Sequence, residues 1–282
     1  MMANPLMRGR GLDRATVPGL VLGIGALLVA FLVEGGGLAG LLNIPAFILV
    51  FGGTIGAGMV SFPLSALKRL PQVIAKAFQD RTVDPYEVVE TFARLADKAR
   101  REGLLALEGE AESLDPFRKK GVLLVVDGSD PALVREVLEA EIDAMHHRHQ
   151  SGYGLLEAMG GYAPTMGIIG TVMGLIYVLS SLENPSQLGP AIAVAFTATL
   201  YGVASANLIW LPLASKLKQK SADEAWVRQL MVEGIMTVQA GDNPRIVREK
   251  LEAQLPPAAR KAPNHVPLDD RLPAEPPVLV ES

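Results

Sequence analysis

The chain has 282 residues and no cysteine. Disulfide bridges, thiolate metal sites and cysteine nucleophiles are therefore excluded. Aromatic residues are sparse at 5%, and a formal net charge of −4 is too small for nucleic-acid binding to be the main business. The most informative absence is local. Although Lys, Arg, Asp and Glu make up 20% of the chain, residues 15–33, 35–67, 158–182 and 184–215 contain none of them. A water-soluble domain interleaves its charged and apolar residues, whereas here they are separated into blocks. Uncharged apolar runs of about 18 or more residues are long enough to cross a bilayer. The pattern predicts an all-α integral membrane protein.

What is present sharpens that reading. Four membrane spans are expected at roughly 17–33, 44–62, 158–180 and 188–213, forming two helical hairpins around a large charged loop. The chain thus divides into an arm (1–16), two spans (17–62), a charged helical segment (63–157), two further spans (158–215), an amphipathic helix (216–254) and a Pro-rich tail (255–282). Arg8, Arg10 and Arg14 precede the first apolar run as they would in a signal peptide. That run is long and a second span follows it, so it reads as retained. The arm holds three basic residues, the segment 68–157 thirteen and the chain after residue 215 ten, which accounts for all 26. The short turns between spans contain only Glu34 and Glu183 as charges. By the positive-inside bias, both termini and the charged loop are cytoplasmic.

The charged segment has helix grammar of its own. Asp84-Pro85-Tyr86-Glu87 combines an N-cap acid, a proline at the first helical position and an acid at the third. Val88, Phe92, Leu95 and Ala99 then recur at helical spacing. A second start at Asp130-Pro131 leads into Val134, Val137, Leu138, Glu141, Ile142 and Met145, again one apolar stripe. Beyond the fourth span, Trp226, Leu230 and Ile235 are expected packing positions. Seven prolines between Pro256 and Ser282, with little periodicity, mark a tail with the composition of disorder.

Within the spans, the chemistry is again defined by what is missing. An ion carrier normally keeps an Asp, Glu, His or Lys inside the membrane, and none of these spans has one. If the chain conducts ions, a partner must supply the titrating carboxylate. The spans offer small residues and hydroxyls instead. Gly167, Thr171 and Gly174 share one helix face, and Ala195, Thr199, Gly202 and Ala206 form a similar stripe. Close helix packing accounts for such faces; Thr171 and Thr199 can also offer oxygens to a cation or to water. Pro164 and Pro212, near the ends of the third and fourth spans, are places for a kink or hinge. Gly52-Gly53-Thr54-Ile55-Gly56-Ala57-Gly58 is not a nucleotide loop, because it lies within an apolar span and not after a strand. His146, His147 and His149 lack a clear fourth ligand and read as a solvated helix end, with no metal and no cofactor expected.

Four motifs together resemble the MotA family, the A subunit of the bacterial flagellar stator. The stretch from Gly161 to Leu175 is similar to the family's third span, and Ala198-Thr199-Leu200-Tyr201-Gly202 with Pro212 to its fourth. Gly52-Gly53-Thr54 is similar to its second span, and Arg100-Arg101-Glu102-Gly103-Leu104-Leu105-Ala106-Leu107-Glu108 to its charged loop motif. The resemblance covers about residues 15–250. It implies a homopentamer in the bacterial inner membrane, surrounding a dimer of a MotB-like B subunit that anchors to peptidoglycan. That partner carries the membrane Asp, and ion flow turns the ring against a flagellar rotor (C-ring, FliG-like) protein. By motif, Arg100 and Glu108, and less closely Glu141, match rotor-contacting charges. Pro164 and Pro212 match prolines of conformational coupling, and Thr171 and Thr199 match hydroxyls of the ion path. Sodium-driven relatives carry Thr at the position of Ala198. Losing one hydroxyl weakens a cage for a hard cation, so protons are the expected ion and sodium the alternative.

Other classes fit less well. An ExbB/TolQ-like energy transducer of outer-membrane processes is expected to have three spans and an N-out start. A secondary transporter would show broken helices or polar midplane residues in repeated halves. An enzyme would need a nucleophile–base pair or metal ligands within the spans, and the chain is expected to be none.

Overall fold

The computed structural model describes residues 11–13, 15–80, 83–180, 182–183 and 185–256. The start of the arm and residues 257–282 of the Pro-rich tail lie outside the described residues. Apart from a two-residue antiparallel pairing of Gly11–Leu12 with Gln79–Asp80, the regular structure is helical. Among the described residues, four helices are long and apolar enough to cross a membrane, in agreement with the charge-free blocks.

The first of these, α1 (Thr16–Val33), has no buried residue. It is apolar on all sides, as expected of a helix surrounded by lipid. A 3₁₀ turn at Leu38–Leu41 leads to the second crossing, which is built from α2 (Ile44–Phe47), a π-helical turn (Ile48–Gly52) and α3 (Gly53–Ser61). Then follow α4 (Leu64–Ala77), α5 (Pro85–Glu102), a 3₁₀ turn (Leu104–Leu107), α6 (Glu108–Ala111) and α7 (Pro116–Val126). The third and fourth apolar helices are α8 (Pro131–Ser180) and α9 (Pro185–Ser205). The latter continues through a second π-helical turn (Ala206–Trp210) into α10 (Leu211–Gln239). A short helix, α11 (Pro244–Ala253), completes the described chain.

One local rule starts most helices of the charged segment. Asp84, Asp115, Asp130 and Asn243 each precede a proline, and each side chain accepts a backbone N–H two residues on, at 2.9 to 3.1 Å. The short side chain satisfies an orphan donor while proline presets φ at a position that needs no N–H. Two of these starts were expected; Asp115-Pro116 and Asn243-Pro244 obey the same rule. The helices then enclose a core in which Phe92, Leu138, Leu230, Ile235 and Leu251 are fully buried. Each such side chain contributes about 1.5–3 kcal/mol relative to exposure. Phe92 lies against Gly234, where an added Cβ would come within 2.3 Å of its ring, so only glycine admits α5 this close to α10.

The limits drawn at 157/158 and 215/216 from composition are not breaks in the backbone. Helix α8 runs through the first for 50 residues, about 75 Å at the α-helical rise. Helix α10 runs through the second. Charge density changes at these points, but helical geometry is indifferent to which face meets water or lipid. Two continuous helices therefore connect the spanning section to the charged bundle.

Candidate functional site

Helices α8 and α9 approach so closely that glycine is required on both sides. A Cβ at Gly202 would stand 2.5 Å from the Ala163 carbonyl oxygen, and one at Gly167 would stand 2.9 Å from that of Ala198. Gly174 lies just as tightly against Ala195, at 2.6 Å. This proximity lets Thr171 and Thr199 hydrogen-bond directly across the interface. The carbonyls of Gly167 and Ala195, each 3.1 Å away, are acceptors for Thr171 Oγ1, while Thr199 Oγ1 has only the Gly167 carbonyl at 3.5 Å. A hydroxyl carries one proton, so the geometry favours Thr199 donating to Thr171 and Thr171 donating to a carbonyl. The result is a short oxygen chain, half-buried, in a region without charge.

Ala198 faces elsewhere. It is buried with Ala46 and Val50 of the second crossing, and a Cβ at Gly170 would come within 2.6 Å of its own. Its neighbour Tyr201 fastens α9 to the start of α2. The phenol donates to the Leu41 carbonyl, accepts from the Asn43 N–H at 3.2 Å and lies edge-on to Phe47.

The two prolines share one level of the fold. Pro164 cannot bond the carbonyl of Gly160, and Gly160 packs on Leu211, the residue before Pro212; a Cβ there would be 2.4 Å from the leucine Cδ2. Pro212 in turn follows the π-helical turn Ala206–Trp210. Both long helices are thus weakened in backbone hydrogen bonding where they touch, and π turns recur at functional sites.

The charged residues separate into two kinds. Arg100 lies in the last turn of α5 and Glu108 begins α6, on either side of Gly103, whose φ of +86° favours glycine. Both are exposed, and neither makes an ion pair among the described residues. The turn is held instead by Lys98 and Glu110, 2.8 Å apart. The Lys98 hydrogen bond lowers the Glu110 pKa, and Glu110 raises that of Lys98. Glu141 is different. It is half-buried, 2.9 Å from Lys120 and 4.0 Å from Arg228, so the structure does not place it with Arg100 and Glu108 on a free surface.

The histidines also separate. His146 and His147 are exposed, whereas His149 turns inward, its Nδ1 3.1 Å from Ser221 Oγ of α10. This site lies in the charged part of α8, before the uncharged run begins at Ala158. Burial pushes the imidazole below its ordinary pKa, Glu224 opposes the shift, and Lys76, Arg148 and Arg228 add to it. Among the described residues, no group of three or more His, Asp or Glu side chains is placed to hold a metal ion.

Sequence reasoning missed one clamp. Asp13 caps α1 through the N–H groups of Ala15 and Thr16, both at 2.9 Å, and pairs with Lys216 of α10 at 2.6 Å. The Lys216 hydrogen bond holds its carboxyl far below the usual carboxylate range. Asp13, a short acid just ahead of α1, was legible as a residue able to accept backbone N–H groups two and three positions on. Its long-range partner was not.

A family model described as the MotA/TolQ/ExbB proton channel family matches residues 110–230, and one described as Motility protein A N-terminal matches residues 17–103. In Bacillus subtilis (strain 168), Motility protein A is 37% identical over 247 residues, covering 87% of this chain and 92% of its own. The chain belongs to the MotA family. The uncharacterized protein YtxD of the same organism is 42% identical over 247 residues, covering 86% of this chain and 89% of its own. The structure of the flagellar MotAB stator complex from Bacillus subtilis matches with a TM-score of 0.82 and 37% identity, over 88% of this chain and 98% of that one. The family match spans both the Thr171–Thr199 crossing and, in its N-terminal part, Arg100.

Proposed function

We propose that this MotA-family chain is the A subunit of a flagellar stator, an ion channel that converts ion-motive force into torque on the rotor. The observation that carries the reading is the contrast along α8. At one end lies a charge-free crossing with a hydroxyl chain at Thr171 and Thr199 but no group to accept a proton. The other end belongs to the charged bundle that presents Arg100 and Glu108 unpaired. Taking a bare charge into such a dry crossing is costly unless it is paired or neutralised. A MotB-like partner dimer therefore supplies the carboxylate and the peptidoglycan anchor, and five copies of this chain surround it.

In this reading the spans form two hairpins in the bacterial inner membrane, with both termini and the charged bundle cytoplasmic. Pro164 and Pro212 let α8 and α10 flex together as the partner's carboxylate changes state, and the continuous helices carry the motion to the bundle. Arg100 and Glu108 engage the rotor, while Glu141 supports that surface through Lys120 and Arg228. Protons are the coupling ion. Thr171 and Thr199 form a short hydroxyl chain along which a proton can pass without the cage of oxygens that sodium needs. The match of residues 17–103 to the motility branch favours a stator over an outer-membrane transducer. The chain acts as a channel component and not as an enzyme.

Swimming of cells that carry Arg100→Glu or Glu108→Lys tests the rotor assignment. Motility should fall sharply while membrane insertion is kept, and unchanged swimming in both would refute it. Ion flux should need the B partner, so flux through this chain alone in vesicles would refute the missing-carboxylate argument. Full torque in sodium-free buffer is the expected outcome for the ion.

A further inference from the structure

The helix α4 has no part in the crossing or the torque-bearing surface, yet it has two unlike faces. It follows the second span after Phe62 and Pro63. Its apolar side closes against the chain: Leu70, Val73 and Ile74 pack around Leu156 of α8 and Leu213 of α10. Gly152 admits Val73, since a Cβ there would meet the valine methyls at 3.2 and 3.3 Å. The partners fix the level of the helix. Glu157 is the last charge of α8 before its uncharged run, and Lys216 is the first of α10 after its own. α4 is therefore held where apolar sequence gives way to charge, the depth of lipid headgroups.

The other side of α4 carries Lys68, Arg69 and Lys76 and no acidic residue. All three are exposed, and none makes an ion pair among the described residues. The helix end is also pinned. Lys220 of α10 donates to the carbonyls of Lys76, Ala77 and Gln79 at 3.3, 3.0 and 2.7 Å, neutralising the negative end of the helix dipole. The end of α4 that carries Lys76 is thus held in place, and Leu70, Val73 and Ile74 seat the rest of the helix.

We propose that α4 is a headgroup-binding helix, in which Lys68, Arg69 and Lys76 hold anionic phospholipids and set the depth of the chain in the bilayer. An anionic leaflet is the partner that complements three unpaired cations at this depth. Each basic residue near such a surface strengthens attraction roughly fivefold, and the flexible stems of Lys and Arg reach headgroups from an apolar seat. The inference needs only that the chain spans a membrane, so it stands or fails separately from the stator assignment.

The test uses the full chain in bilayers of phosphatidylcholine and phosphatidylglycerol in equal amounts, with the lipid retained after purification identified by native mass spectrometry. The wild type should retain phosphatidylglycerol several-fold over phosphatidylcholine. A variant with Lys68→Gln, Arg69→Gln and Lys76→Gln should retain the two about equally. Neutralising Arg94→Gln and Arg245→Gln on the bundle should leave the preference intact. Raising salt to about 0.5 M should weaken it in the wild type, a reading that needs no variant to fold. Absence of preference in the wild type, or a preference untouched by the triple change and by salt, would overturn the proposal. Loss of association with a partner protein in the triple variant, with lipid retention unchanged, would point to an acidic protein surface and overturn it equally.

Discussion

The crossing of α8 and α9 and the bundle around Phe92 are both helix-on-helix contacts, but they are held by opposite means. In the bundle, large side chains leave water, and the hydrophobic effect rewards volume. At the crossing, a leucine gains nothing by leaving lipid for protein, so closeness and hydrogen bonds between helices take over. Gly167 and Gly202 supply the first, and Thr171 and Thr199 the second. The bundle is a solid body. The crossing is a thin contact next to two proline-weakened backbones, and the π turn places its adjustable part at the same level.

Six substitutions probe this contrast, taken from the largest expected loss of stability to the smallest, with Gly154→Ala as the control for Gly202→Ala. Phe92→Ala should cost the bundle about 3–5 kcal/mol, because the ring is wholly buried and Gly234 cannot fill its space. A thermal unfolding midpoint unchanged from wild type would show that the bundle is not held by its core. Gly202→Ala should cost about 1–3 kcal/mol, since its Cβ meets backbone and not a movable side chain. Gly154→Ala, also within an apolar-to-polar helix but with open space around it, should be neutral or slightly stabilising. If both alanines behave alike in the same unfolding assay, glycine does not set the crossing distance.

The hydroxyl pair should respond asymmetrically. Thr171→Val leaves Thr199 with only a carbonyl 3.5 Å away, whereas Thr199→Val leaves Thr171 two carbonyls at 3.1 Å. The first should therefore cost more, with a coupling of about 0.5–1.5 kcal/mol in a double-mutant cycle. Equal single effects and no coupling would show the hydroxyls to be independent. The smallest effect belongs to His149, which lies between the two regions. Its folded pKa is depressed, so the unfolded chain takes up its proton first. The stability it confers is present above about pH 6.5 and is lost as pH falls further. His149→Gln should flatten the decline of the unfolding midpoint between about pH 7.5 and about pH 5.5. An unchanged decline would place the pH sensitivity elsewhere.

Much of this contrast is legible in the amino-acid sequence. The charge-free blocks located the four apolar helices, because carrying a charge into lipid costs more than local preferences can offset. The stripe of Gly167, Thr171 and Gly174 announced a close-packed face, and Asp84-Pro85 and Asp130-Pro131 announced helix starts with their caps. Arg100 and Glu108 stood out only through family likeness, since a charge on a solvated helix carries no signal of what it meets. The pairing of Glu141 with Lys120 and Arg228 was hidden for the same reason, and so was the inward turn of His149. The divisions at 157/158 and 215/216 were compositional, and composition cannot tell a change of solvent from a change of helix.

The sequence by itself determined which segments are apolar and long enough to cross a membrane, and that no Asp, Glu, His, Lys or Arg lies within them. These are properties of local chemistry summed along a run of residues. Only the tertiary structure decided that α8 is one continuous rod, that Thr171 meets Thr199, that Gly160 seats Leu211 beside Pro212, and that α4 is pinned by Lys220. Each of these joins residues far apart in the chain. Such meetings depend on how packed helices are turned about their own axes, which the pattern of a single helix leaves open.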